Sequence, residues 1–228
     1  MKPLQFFVAG TDTGVGKTRV TAGLLEAALV QGLKTAGMKP VASGGFEKDG
    51  RIMSDDALQI SLFCSRSIPY DDLNPYCLKA PVSPHIAARW ENEPIDPNWV
   101  VVTASNAASG ADLFLVEGAG GWLTPIDDTR TMADLAQALA LPVLLVVGVR
   151  LGCLSHARLT RDAIAASGLT LSGWIANCIE PELQALPENL ETLEKIIGAP
   201  PLAVLVHRQE RDRDAQQLAG ALAALRST

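Results

Sequence analysis

Residues 4–18 read Leu4-Gln5-Phe6-Phe7-Val8-Ala9-Gly10-Thr11-Asp12-Thr13-Gly14-Val15-Gly16-Lys17-Thr18, and the fold turns on them. Leu4–Ala9 has the composition of a buried strand. The segment from Lys17 to Gln31 carries Val20, Leu24, Ala27 and Ala28 at helical spacing. Gly32 stands where a helix-ending glycine belongs. A glycine-rich turn between strand and helix lets the backbone form a cradle whose N–H groups face phosphate oxygens, with the positive end of the helix dipole behind them. In that setting Lys17 reaches the terminal phosphates and the Thr18 hydroxyl serves Mg²⁺. The spacing is unusual, because five residues rather than four separate Gly10 from Gly16. Only the Gly16-Lys17-Thr18 half matches the common phosphate-loop pattern.

Working outward, short apolar runs alternate with segments of helical period. Strands are expected at Thr35–Met38, ended by Pro40, and at Asp112–Val116, Pro142–Val149, Leu171–Asn177 and Leu202–Val206. Helices are expected at Thr131–Ala140, Ser155–Ser167, Leu190–Ile197 and Asp214–Leu225. Between Ser43 and Pro97 the pattern is less regular. There Ser54 can cap a helix over Asp55–Cys64, and another helix follows Pro84. Strands that are apolar throughout imply a sheet covered on both faces, hence parallel strands joined by crossover helices. The expectation is a single doubly wound α/β domain over residues 1–228, with no dividing linker and no internal repeat.

Composition agrees with this. With 48% hydrophobic and 19% charged residues the chain is not a disordered one. Its net charge of −6 argues against a broad nucleic-acid face. Cys64, Cys77, Cys153 and Cys178 are far apart and contain no CxxC pair, so neither a zinc ligand set nor a dense disulfide framework is expected. A reducing compartment suits them. The apolar stretch Phe6–Ala9 is too short for a signal-peptide core, and the run around Leu141–Val149 is about half of what a membrane-spanning helix needs. A cytoplasmic location follows, with neither membrane nor nucleic acid as partner.

In an open parallel sheet ligands bind outside the carboxyl ends of the strands. Lys39 and Ser43 follow the strand Thr35–Met38 and would offer a charge and a hydroxyl near a transferring phosphoryl group. Glu117 follows the strand Asp112–Val116 and precedes Gly118-Ala119-Gly120-Gly121, a setting suited to an oxygen ligand for Mg²⁺. Asp55 and Asp56 offer a second carboxylate. His85, His156 and His207 are scattered, and the four tryptophans lack the spacing of a base-stacking surface.

Five segments, Gly-Thr-Asp-Thr-x-Val-Gly-Lys-Thr at 10–18, Lys-Pro-Val-Ala-Ser-Gly at 39–44, Ser-Pro-His at 83–85, Val-Glu-Gly-Ala-Gly-Gly-Trp at 116–122 and Leu-Gly-Cys at 151–153, resemble the motifs of the dethiobiotin synthetases in order and across nearly the whole chain. The resemblance implies a P-loop NTPase type of sheet and an ATP-dependent ligase that closes a ureido ring. CO₂ adds to one amine of 7,8-diaminopelargonate; the carbamate takes the γ-phosphoryl group of ATP; the second amine displaces phosphate. By the same resemblance Lys17 and Lys39 are catalytic, and Thr18, Asp56 and Glu117 hold Mg²⁺. Asp56 is preferred to Asp55 because Asp56-Ala57-Leu58 matches the family's Asp-Ala-Leu. The nucleotide falls to Gly14, Val15, Gly16, Lys17, Thr18, Arg19, Asp56, Glu117, Gly118, Ala119, Gly120 and Asn177. The diamine falls to Thr13 and Ser43, and to Arg150, Leu151 and Ser155 on a loop that the family's homodimer lends to its partner's site. The chain departs from the family at Asn177-Cys178, often Asn-Asp, and at Pro201–Val206, so nucleotides other than ATP stay open.

Two rivals share the fold. Partition-type ATPase switches carry a second lysine early in the phosphate loop, where this chain has Thr11-Asp12-Thr13. Amide-forming ligases of corrin synthesis normally carry a glutamine-hydrolysing domain, for which 228 residues leave no room.

Overall fold

The computed structural model describes residues 3–207 and 211–227. Strand β1 (Leu4–Gly10) leads through the phosphate loop to α1 (Lys17–Val30) and β2 (Thr35–Met38). A smaller layer follows, made of β3 (Val41–Ser43), β4 (Phe46–Lys48), β5 (Arg51–Met53), α2 (Asp55–Ser61), α3 (Tyr70–Leu73), β6 (Tyr76–Leu78) and α4 (Pro84–Glu91). The chain then alternates through α5 (Pro97–Ala108), β7 (Leu113–Glu117), α6 (Met132–Leu139), β8 (Val143–Val149) and α7 (Cys153–Ala166). It ends with β9 (Leu171–Cys178), α8 (Leu186–Ile197), β10 (Ala203–Leu205) and α9 (Arg211–Leu225).

The main sheet has six strands in the order β10-β9-β8-β1-β7-β2, and every neighbouring pair is parallel. Its strands divide their side chains between two cores. Phe6, Val8, Leu113, Leu115, Leu144 and Val146 pack with Leu24, Leu25 and Leu222 of α1 and α9. Phe7, Ala9, Phe114, Val116, Leu145 and Val147 pack with Val100, Leu135, Ala157 and Leu193 of α5, α6, α7 and α8. Period-two alternation with apolar residues at every position is what a sheet covered on both faces requires. Burying each such Val, Leu or Phe contributes about 1.5–3 kcal/mol. No helix among the described residues is long and apolar enough to cross a membrane.

Helix α5 arises where the sequence reading places no element. Its run Val100-Val101-Val102-Thr103 is β-branched and favours strand locally. The helix wins because Asp96 caps it through the Asn98 amide, Pro97 sits in its first turn, and Val100, Thr103, Ala104 and Ala107 bury one face. The irregular stretch after Ser43 contains the hairpin β4–β5, turned by Asp49 (φ 51°) and Gly50 (φ 77°), the two positive-φ residues of a tight hairpin. Helix α8 begins one turn earlier than expected, at Leu186.

The topology places chemistry at the carboxyl ends of five strands. β1 ends in the phosphate loop, β2 runs into Lys39, β7 ends on Glu117, β8 runs into Arg150, and β9 carries Asn177.

Candidate functional site

The phosphate loop is shaped by two left-handed glycines, Gly14 (φ 73°) and Gly16 (φ 88°). Gly16 is required twice over: a Cβ there would lie 2.1 Å from the Asn177 side-chain nitrogen. Helix α1 starts at Gly16 with no side-chain cap, so its first-turn N–H groups are left for an anion. Lys17 is buried, and its ammonium donates to the carbonyls of Gly120 (2.6 Å) and Asp12 (3.0 Å). Burial, and then the nearby Lys39 charge, bring its pKa down to about 8 against the pull of Glu117, Asp56 and Asp12.

Across the cleft lies a second buried lysine. The register that sets Met38 beside Val116 brings the next residues, Lys39 and Glu117, to the same level. Lys39 Nζ donates to Glu117 Oε1 (2.7 Å) and to the Gly118 carbonyl (3.2 Å), and pairs with Asp56 Oδ2 at 2.9 Å. Burial alone would lower the Lys39 pKa; Glu117 and Asp56 outweigh it and hold it above its ordinary value. Asp56 is desolvated as well, yet Lys39 keeps its carboxyl below the usual range.

Glu117 is fully buried. Its Oε1 accepts from Thr18 Oγ1 (2.8 Å) as well as from Lys39, while its Oε2 is buried without a hydrogen-bond partner. An unpaired carboxylate oxygen in such a place costs free energy unless something positive meets it. Thr18, Asp56 and Glu117 together make an all-oxygen donor set of the kind that suits Mg²⁺, and the orphaned Oε2 fits that ion. No cluster of three or more His, Cys, Asp or Glu side chains that could hold a metal occurs among the described residues.

A cleft of about 300 Å³ gathers Thr13, Gly14, Gly16, Lys17, Thr18, Lys39, Ser43, Asp56, Glu117, Ala119 and Gly120, with Ser54 and Ala42 completing its wall. The remaining candidates lie around it. Val15 is buried behind the loop, and Gly118 supplies a carbonyl to Lys39. Asn177 Nδ2 donates to the Val15 carbonyl (2.8 Å), and its Oδ1 accepts from Arg19 (2.8 Å), so its amide braces the loop. Arg19 also makes a forked pair with Asp214 (both 2.7 Å) and donates to the Val206 carbonyl (3.0 Å), tying α1 to α9 and the end of β10. Arg150 pairs with Asp12 at 2.5 Å on the rim. Leu151 and Ser155 stand outside the cleft and are exposed, Leu151 by 92%. Sequence reasoning missed the Arg19–Asp214 clamp, because nothing in local spacing links residues 195 positions apart. Of the two adjacent acids, Asp56 lines the cleft and pairs with Lys39.

A parallel sheet with a phosphate loop after its central strand and an acid at the next strand end defines a nucleotide-binding protein of the P-loop NTPase type. Solved structures agree on that fold. The cell division ATPase MinD of Pyrococcus furiosus superposes with a TM-score of 0.61 at 17% identity, covering 100% of this chain and 99% of that one. The Mg-ADP complex of the septum site-determining protein MinD from Pyrococcus horikoshii gives 0.60 at 18%, covering 99% and 94%. A ParA family ATPase from Chlorobium tepidum gives 0.54 at 18%, covering 99% and 92%. A family model described as an AAA domain matches residues 4–214.

Sequence narrows the class. The ATP-dependent dethiobiotin synthetase BioD of Aromatoleum aromaticum is 50% identical over 206 residues, 90% of this chain and 92% of its own. The chain belongs to the dethiobiotin synthetase family.

Proposed function

We infer that the chain is an ATP-dependent cyclo-ligase that carboxylates 7,8-diaminopelargonate with CO₂ and closes the ring to dethiobiotin, releasing ADP and phosphate. The observation that carries this reading is the pair of buried lysines, Lys17 and Lys39, facing one cleft together with Asp56 and Glu117. A carbamate and a triphosphate are both anionic, so the task is to bring them together and spread the charge of transfer.

The residues divide that work. The uncapped N-terminus of α1, with Gly14, Val15, Gly16, Lys17 and Thr18, receives the phosphates. Lys39 lies between Glu117 and Asp56 in the wall of the cleft, where its ammonium can meet carbamate and γ-phosphoryl oxygens; Thr13 and Ser43 offer hydroxyls to the diamine. Thr18, Asp56 and Glu117 would hold Mg²⁺, which supplies charge neutralisation at the phosphates when bound. Asn177 and Arg19 support the nucleotide from behind the loop. With ATP, diaminopelargonate and bicarbonate, phosphate release should require all three, and mass spectrometry should find the ring-closed product. Phosphate release indifferent to the diamine would overturn this function and favour the partition-type switch, for which likeness of fold is the one support.

We further propose a homodimer that shares its active sites, acting as one α/β domain per chain in the cytoplasm. Leu151, Leu123 and Leu159 are large exposed apolar side chains, Leu151 in the loop before α7 and Leu159 within that helix. Light scattering at micromolar concentration should return twice the chain mass; a monomer would end the shared-site reading. Four free cysteines suit a reducing compartment.

A further inference from the structure

Lys39 stands one residue past the end of β2 and directly before Pro40, which has no N–H to offer a ladder. Its own backbone is nevertheless bonded at both groups. The Lys39 N–H donates to the Leu73 carbonyl (2.8 Å), and its carbonyl accepts from Asn74 Nδ2 (2.6 Å). Asn74 is 2% exposed and spends its amide fully: Nδ2 also reaches the Tyr76 carbonyl (3.3 Å), while Oδ1 accepts from the Tyr70 hydroxyl (3.0 Å). Two carbonyls on one side and a hydroxyl proton on the other allow only one amide orientation.

The Tyr70 hydroxyl has a single proton. Asn74 at 3.0 Å takes it rather than the Cys77 sulfur at 3.9 Å, and the oxygen is left to accept from the Ser54 N–H (2.7 Å). Ser54 is the N-cap of α2, its Oγ accepting from the Ala57 amide (3.4 Å), and Asp56 lies in the first turn of that helix. Asp56 Oδ2 returns to Lys39 Nζ at 2.9 Å. The contacts close a ring that leaves Lys39 by its carbonyl and comes back to its ammonium. The ring joins two elements that share no ladder, β2 and α2.

We propose that Tyr70 and Asn74 are positioning residues, whose hydrogen bonds fix the backbone of Lys39 and the start of α2 so that Lys39 and Asp56 face the reacting oxygens from fixed backbone positions. Lys39 has to exchange carboxylate contacts for substrate oxygens during transfer, and the Asn74 bond holds its backbone while the ammonium moves. The inference rests on the proposed role of Lys39 in the reaction.

Tyr70→Phe tests it, because the ring stays against the Arg51 guanidinium, 4.4 Å from its centroid, and only the hydroxyl is lost. Assays are run well below the variants' melting temperatures, with active protein counted by ADP binding. We expect kcat per binding site to fall about tenfold or more, the scale on which small misplacements act. The KM values for ATP and diamine should stay within twofold of the parent. Amide hydrogen exchange should quicken in peptides covering 54–58 and stay unchanged in 11–18. Asn74→Ala should lower kcat likewise, and the double variant should be no worse than the weaker single one, as for two members of one relay. Unchanged kcat per site, a change confined to KM for ATP, or simple addition of the two effects would overturn the proposal. Lys39→Ala, run alongside, separates the failures. Turnover in Lys39→Ala equal to the parent removes the premise. An inactive Lys39→Ala beside a fully active Tyr70→Phe removes the positioning role alone.

Discussion

The phosphate loop and the end of β2 each hold a buried lysine in the same cleft, and the two are tuned in opposite directions. Lys17 rests on two neutral carbonyls and is lowered to about 8, whereas Lys39 rests between two carboxylates and is raised. The difference lies in who supplies the counter-charge. At Lys39 the protein does, so that charge is set before any ligand arrives. At Lys17 it is left to the ligand, and an incoming phosphate relieves a desolvated cation. One side of the site takes its counter-charge from the ligand, the other from the protein itself.

Removing the pre-paired side should have the largest effect. In Lys39→Ala, Glu117 and Asp56 are left facing each other with no cation between them, and steady-state assay should show turnover reduced by roughly a thousandfold, the scale of losing one charge-stabilising donor. ADP binding, measured by calorimetry, should change little; a parallel collapse of ADP affinity would erase the distinction between the two lysines. Glu117→Gln comes next. It removes the negative charge and turns one carboxylate oxygen into an amide NH₂, so the oxygen that accepts from Thr18 and Lys39 and the orphaned Oε2 can no longer both be kept. The Mg²⁺ concentration for half-maximal activity should rise by at least about tenfold, since even outer partners of a metal act on that scale. Overlaying Mg²⁺ titrations of parent and variant would take Glu117 out of the metal site.

The smallest effect is a pH dependence. Phosphate favours protonated Lys17, so the bound pKa lies above the free value of about 8. Metal-free ADP affinity should therefore be level below that pH and fall by up to about tenfold per unit above it, until the bound pKa is passed. Affinity that stays flat from pH 7 to 9.5 would mean that Lys17 is not the group receiving phosphate.

The sheet and the floor of the cleft were legible in the sequence because both follow from the strand runs. Apolar residues on both faces announce a covered parallel sheet, and ligands gather where such strands end, which is where Lys17, Lys39 and Glu117 stand. Segments governed by tertiary context were not legible. The valine-rich stretch of α5 prefers extended backbone until Val100 and Ala104 find a core to cover. Asp49-Gly50 lacks the flanking apolar alternation that makes such a pair readable as a hairpin. Arg19 reads locally as one more residue of a phosphate loop, and only the fold carries it to Asp214. Asn74 and Tyr70 look like ordinary turn residues until the backbone of Lys39 is seen to depend on them.

The two borders of the main sheet bear on how copies of this chain can meet. β10 is three residues long and follows Pro200-Pro201, while β2 is four residues long and stops at Pro40. At Thr35 the outer backbone of β2 is occupied: Thr35 exchanges bonds with Ser65, whose N–H reaches its carbonyl at 2.9 Å. Border strands this short, with prolines beside them, offer little template for edge-to-edge stacking, which leaves association between copies to helices and loops.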